Sequence, residues 1–257
     1  HPKAGGVSYI NTFGFSQTPY YSPAFVYANN LGSPTAVAGV VSHGMGHLLG
    51  LSHDGAAVGK GSRVSWAPIM GHDPEQHVTQ WSRGAPNNQD DIAILTGRLG
   101  LRGDDHDDTR YDKGTRLVVD GRGQVHAARG APRGQNGGVI EDRDDIDVFV
   151  FNAGAGTVDL TVLPAWQDFD PEHHRGGNLD VHVALFDAKG KKITEQDSRN
   201  DTSAKLKTRV TGGRYSLEIS GVANPRRADS DYGSLGQYYI SGSVPVDRNT
   251  ALAAPVR

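Results

Sequence analysis

The chain has 257 residues, of which 36% are hydrophobic and 21% charged, a balance that excludes a disordered chain. No run approaches the roughly 18 consecutive apolar residues of a membrane-spanning helix, and a net charge of −3 offers no basic stripe for nucleic acid. The absence of cysteine excludes disulfides, zinc–thiolate clusters and thiol nucleophiles, while 34 glycines and 13 prolines point to turn-rich β structure.

The chain opens on His1 rather than Met, so it is expected to be processed or truncated, with any export signal upstream. Two strands are predicted first, over 6–13 and 24–29. A helix follows, with Ser33 as N-cap and Pro34 at the first helical position, where its missing N–H costs nothing. Val37, Val40, Val41 and Leu48 then recur at helical spacing, and Gly50 is placed to end the helix in a left-handed conformation. Gly39, Gly44 and Gly46 lie inside it, each costing about 0.8–1.0 kcal/mol relative to Ala. Burial and a bound metal are the expected compensation.

His43 and His47, four apart on one helix face, bring two imidazoles within reach of one ion. Gly50 permits a sharp turn, after which His53 can return as a third ligand. Three neutral imidazoles with an open fourth position suit a catalytic zinc. A surface helix with chance histidines would explain the i, i+4 pair, but not the added Gly50 and His53.

This run resembles the zinc signature of the metzincin metallopeptidases, His-Glu-x-x-His-x-x-Gly-x-x-His, and His53-Asp54 resembles its adamalysin (reprolysin) branch. The segment 66–71, Trp-Ala-Pro-Ile-Met-Gly, resembles the Met-turn, with Met70 as the methionine beneath the metal. The segments 20–27, 79–84 and 87–92 are similar to bacterial secreted members. The resemblance implies one Zn²⁺, a protein or peptide substrate and a secreted, extracellular protein. It also implies further strands and a helix before the zinc helix, so the 42 residues preceding His43 lead to the expectation of an N-terminally incomplete domain.

Gly44 departs from the pattern, standing where the family has its general-base glutamate. A carboxylate there takes a proton from the metal-bound water, a role worth roughly 10²–10⁴-fold in rate. Metal ligation is expected to survive its loss; efficient hydrolysis is not. Glu75 and Asp54 are the nearest carboxylates in sequence, and Asp54 is expected to bond the amides of its own turn. His72, two after Met70, reads as a polar loop histidine; the metzincin resemblance alone implies that it could approach the metal.

Residues 101–145 are charged and glycine-rich. Their aspartates, Asp104, Asp105, Asp107 and Asp108, then Asp142, Asp144, Asp145 and Asp147, read as a solvated acidic linker or as oxygen ligands for Ca²⁺. Beyond them apolar residues alternate with period two: Ile146, Val148 and Val150; Val158, Leu160 and Val162; Leu179, Val181, Val183 and Leu185. Further strands are expected over 192–194, 206–210, 215–219 and 237–241, with 117–119 and 139–140 joining them. Such spacing without helices predicts an antiparallel sandwich. The segments 138–141, 144–151, 178–187 and 212–221 resemble the bacterial pre-peptidase C-terminal domain, an accompaniment of secreted proteases.

The expected fold is therefore an α+β metzincin-like catalytic domain, N-terminally incomplete, over 1–103. An all-β antiparallel sandwich over 104–243 and a tail over 244–257 follow it. The function the resemblance implies is a secreted zinc metalloendopeptidase impaired by Gly44. The alternative is a non-catalytic, zinc-stabilised module that binds polypeptide.

Overall fold

The structure, a computed structural model, describes residues 4–15, 19–21, 23–55, 64–72, 75–84, 87–110, 113–127, 136–223 and 231–246. Ser22 and most of the expected tail lie outside the described residues.

Among the described residues, the first part is built on two α-helices and three small strand pairs. β1 (Gly6–Val7) pairs antiparallel with β2 (Phe25–Val26) beside helix α1 (Pro34–Leu49). β3 (Trp66–Pro68) and β4 (Val78–Gln80) run parallel, and β5 (Arg83–Gly84) pairs with β6 (Gln89–Asp90) ahead of α2 (Asp91–Leu99). The sequence signals explain the limits of α1. The Ser33 hydroxyl accepts from the Ala36 amide at 3.1 Å, Pro34 opens the first turn, and Gly50 closes the helix at φ +108°. The two N-terminal strands are far shorter than the sequence predicts. Asn11 takes a positive φ of 59°, and the Asn11 and Phe13 amides donate to the His47 and Leu48 carbonyls at 2.8 and 2.9 Å. These residues satisfy the free carbonyls at the end of α1 in place of a strand partner.

Gly46 shows why a weak helix former stands in α1. A Cβ there would lie 2.5 Å from Met70 Sδ, 3.2 Å from the Trp81 ring and 3.3 Å from Leu51. The missing side chain lets the fully buried Met70 pack directly against the helix.

The second part is a two-sheet β-sandwich. Its strands are β7 (Thr115–Arg116), β8 (Gln124–Val125), β9 (Gly137–Ile140), β10 (Asp147–Ala153), β11 (Gly156–Pro164), β12 (Val181–Asp187), β13 (Lys192–Asp197), β14 (Ala204–Val210), β15 (Gly213–Gly221) and β16 (Gly236–Ser243). One sheet has the order β13-β12-β15-β10-β7; the other runs β14-β11-β16-β8, with β9 also on β16. Pairing is antiparallel except between β10 and β7. Facing rows fill the space between the sheets: Phe149, Phe151, Leu185 and Leu217 meet Leu160, Leu206, Tyr238 and Ile240.

Three expectations are corrected here. Ile146 does not share the face of Val148 and Val150; it precedes the strand and is exposed. Strand β10 is buried on both faces except at Asn152, because the segment leading into β7 packs on its outer side at Gly114. One turn of helix, α3 (Trp166–Phe169), interrupts the strands and buries Trp166. Leu117 and Ile140 do join the core.

Gly46→Ala should destabilise the chain. The helix gains about 0.8–1.0 kcal/mol, but overpacking against Met70, Trp81 and Leu51 costs about 1–3 kcal/mol. Urea unfolding should show a net loss on the order of 1 kcal/mol; an unchanged or raised midpoint would contradict the close contact.

Candidate metal centre

His43 and His47 stand one turn apart on α1, and the left-handed Gly50 reverses the chain so that Leu51 donates back to the Gly46 carbonyl at 2.9 Å. His53 thereby returns to the same face. Ring centroids lie 4.7 Å apart for His43–His47 and His47–His53, and 5.2 Å for His43–His53. One ligand nitrogen from each residue falls within 4.8 Å of the other two.

Backbone carbonyls fix the tautomers. His43 Nδ1 lies 2.9 Å from the Ile69 carbonyl and His47 Nδ1 lies 2.8 Å from the Leu51 carbonyl. A carbonyl only accepts, so each Nδ1 carries the proton and each Nε2 presents a lone pair. Yet those two Nε2 atoms are 3.0 Å apart, and His47 Nε2 is also 3.0 Å from His53 Nε2. A proton on His53 can bridge one of these contacts, not both. A cation at the usual zinc–imidazole distance of about 2.0–2.1 Å engages all three lone pairs at once. The residues present therefore fit a zinc ion.

The surroundings also favour neutral rings, the form that binds metal. Burial pushes the His43 imidazolium down to about 4, the Ile69 bond opposing only in part. Burial likewise lowers His53, helped by His47 and His72.

The three histidines line a cleft of about 510 Å³ whose described walls include Gly39, Gly44 and Gly71 and contain no Asp or Glu. A Cβ on Gly44 would lie 3.1 Å from Ala24 Cβ and 3.8 Å from Ser8 Oγ. The two carboxylates nearest in sequence are committed elsewhere. Glu75 accepts from the Ser33 hydroxyl at 2.6 Å at the start of α1. Asp54 is buried, accepts from the Ser82 hydroxyl, and donates its amide to the Met70 carbonyl at 2.9 Å. His72 lines the cleft with its ring centroid 5.0 Å from that of His53, outside the converging triad.

A second group of donors sits at the edge of the sandwich. Asp104, Glu141 and Asp145 bring carboxylate oxygens within 4.8 Å of one another, and Asp105 and Asp147 group beside them with His106. His106 offers no free nitrogen: Nε2–H donates to the Gly137 carbonyl at 2.9 Å and Nδ1 accepts from the Thr115 hydroxyl at 2.8 Å. Asp147 is wholly buried; Tyr238 donates to its Oδ2 at 2.6 Å, while Oδ1 has no partner. The Glu141 side chain is 6% exposed, with Arg102 at 3.4 Å from Oε1 and no hydrogen-bond donor on Oε2. Burial is the main cause pushing these acids upward, Glu141 to about 8, Asp145 to about 6 and Asp147 to about 9. Of the other aspartates in the two acidic clusters, Asp107 and Asp142 cap their own turns.

No protein-family model matches the chain, and no curated protein does. Among solved structures, it is similar to the pre-peptidase C-terminal domain of a collagenase from Bacillus anthracis. That likeness has 16% identity and a TM-score of 0.33, covering 52% of this chain and 97% of that one. It is also similar to PliG, a periplasmic inhibitor of g-type lysozyme from Aeromonas hydrophila, at 17% identity and a TM-score of 0.27, covering 51% and 98%. A CBM35 from Cellvibrio japonicus Abf62 follows at 12% identity and a TM-score of 0.23, covering 56% and 87%.

Proposed function

We propose that residues 1–103 carry the zinc centre of a secreted metalloendopeptidase of metzincin type, silenced at its general-base position. His43, His47 and His53 would hold the zinc above Met70. The observation that carries this reading is the pair of carbonyl-pinned imidazoles whose Nε2 lone pairs meet at 3.0 Å. Bound zinc supplies an acidified water and polarises a carbonyl. The protein's part is to hold three neutral imidazoles in place and keep the fourth position open to the cleft. It lacks a carboxylate to accept the water's proton, since no described wall residue bears one. The same fact favours the second reading, a cleft that holds a polypeptide without cutting it.

The full chain should take up one equivalent of zinc and show no chelator-sensitive peptidase activity. Gly44→Glu requires Ala24 to yield a few tenths of an ångström. It should raise hydrolysis of a generic peptide by roughly 100-fold or more. Zinc uptake below about a tenth of an equivalent would overturn the metal assignment. Brisk cleavage by the chain as it stands would overturn the assignment of the base. Zinc binding with no gain in the glutamate variant would favour the binding module.

The acidic group at the sandwich edge is proposed as a Ca²⁺ site formed by Asp104, Glu141 and Asp145, with Asp105 and Asp147 behind them. Support comes from the buried oxygens of Asp147 and Glu141 that lack a hydrogen-bond donor, since hard cations take carboxylate oxygens. Millimolar calcium should raise Tm, as a ligand specific to the folded state does, and Glu141→Gln should shrink that rise by more than half. A Tm indifferent to calcium and to EGTA would refute the site.

A further inference from the structure

The sandwich reaches the metal centre through two chains of hydrogen bonds. In the first, the segment 176–178 lies along β4 as a neighbouring strand would. Gly177 forms a parallel bridge with Val78, the Gly176 amide donates to the Gln76 carbonyl at 2.9 Å, and the Thr79 amide donates to the Gly177 carbonyl at 3.0 Å. Asn178 Nδ2 donates to the Thr79 carbonyl at 2.7 Å, and buried Gln80 Nε2 donates to the Asn178 carbonyl at 2.6 Å. The other side of Gln80 continues inward. Its Oε1 accepts from Trp66 Nε1 at 2.8 Å, and its carbonyl accepts from the Ile69 amide at 2.8 Å. The Ile69 carbonyl is the group that fixes the His43 tautomer.

The second chain starts at Tyr232. Its hydroxyl donates to Asp90 Oδ1 at 2.6 Å and accepts from the Ile92 amide at 2.8 Å, fastening the start of α2, where Asp90 also accepts from the Ala93 amide. From there Asp91 Oδ2 accepts from the Ser82 amide at 2.9 Å, and the Ser82 hydroxyl donates to Asp54, the residue after His53. From the same turn, Asn87 Nδ2 donates to the His53 carbonyl at 3.0 Å. Next to Tyr232, Gly233 lets the sandwich approach closely; a Cβ there would stand 2.8 Å from Gln80 Cβ.

We propose that Asn178 and Tyr232 are positioning residues of the metal centre, holding His43 through β4 and His53 through the start of α2. The sandwich then completes the zinc site in addition to folding as a β module. The inference rests on the metal reading above. The groups that orient ligands tune metal affinity, and their loss typically lowers it 10–100-fold; a small effect would come from fold stability alone.

The test uses the full chain and competition with a chromophoric chelator. Asn178→Ala and Tyr232→Phe should each weaken zinc binding by roughly tenfold. The visible bands of the cobalt(II)-loaded chain should shift as well. Tyr215→Phe, which removes a hydroxyl bonded to the Thr211 carbonyl elsewhere in the sandwich, should leave both unchanged. If the wild-type chain binds no metal, the metal reading fails. If it binds and the two folded variants match it in affinity and spectrum, only the positioning role fails. The wild-type chain supplies a separate check should a variant fail to fold. Zinc should increase hydrogen-exchange protection of the Thr79, Gly176 and Ile92 amides more than that of Val118, and equal protection would overturn the proposal.

Discussion

Two lone pairs pointed at one another across 3.0 Å repel, and a cation held between them would relieve the repulsion. Here the repulsion is enforced by the backbone, since the Ile69 and Leu51 carbonyls leave His43 and His47 no other tautomer. Much else in the first part serves that arrangement. The turn at Gly50 brings Leu51 and His53 back over α1, and the parallel β3–β4 pair sets Ile69 at the height of His43. The glycine at 46 lets the buried Met70 pack directly against α1.

Helix α1 was legible almost to the residue because its limits are local: a serine hydroxyl, a proline ring and a glycine φ act within one turn of their own position. The histidine triad was legible for the same reason, being a matter of helical periodicity and one turn. Strand lengths at the N-terminus were not. Alternation over 6–13 cannot reveal that Asn11 and Phe13 donate to carbonyls of residues 47 and 48. Nor can it show that β10 is covered on both faces, which depends on where a distant loop lies. The contacts of Gln80, Asn178 and Tyr232 between the two parts carried no signal. Their partners in the other part of the chain lie 98 to 142 positions away, and most of them are backbone atoms, which have no identity in a sequence.

The acidic segment shows the intermediate case. Composition marked the aspartates, but burial sorts them. Asp107 and Asp142 spend their oxygens on their own turns, whereas Asp147 and Glu141 are drawn inward with oxygens that lack a hydrogen-bond donor. Burial first, and neighbouring carboxylates after it, raise Glu141 and Asp147, and a bound divalent ion would hold them ionised. Two proposed cation sites of opposite chemistry then divide the molecule: nitrogen donors in a cleft whose described walls carry no carboxylate, and oxygen donors at the sandwich edge. Gly44 belongs to the first division. It removes the one acid that the resemblance would place beside the histidines, while the ligand geometry around it stays intact.

X-ray absorption at the zinc edge of the loaded full chain reads the identity of the ligands directly. Three imidazole nitrogens at about 2.0–2.1 Å and one light-atom ligand are expected. His47→Ala should remove one imidazole from the multiple-scattering signal. A shell of oxygens without imidazole scattering, or a spectrum unmoved by that substitution, would contradict it.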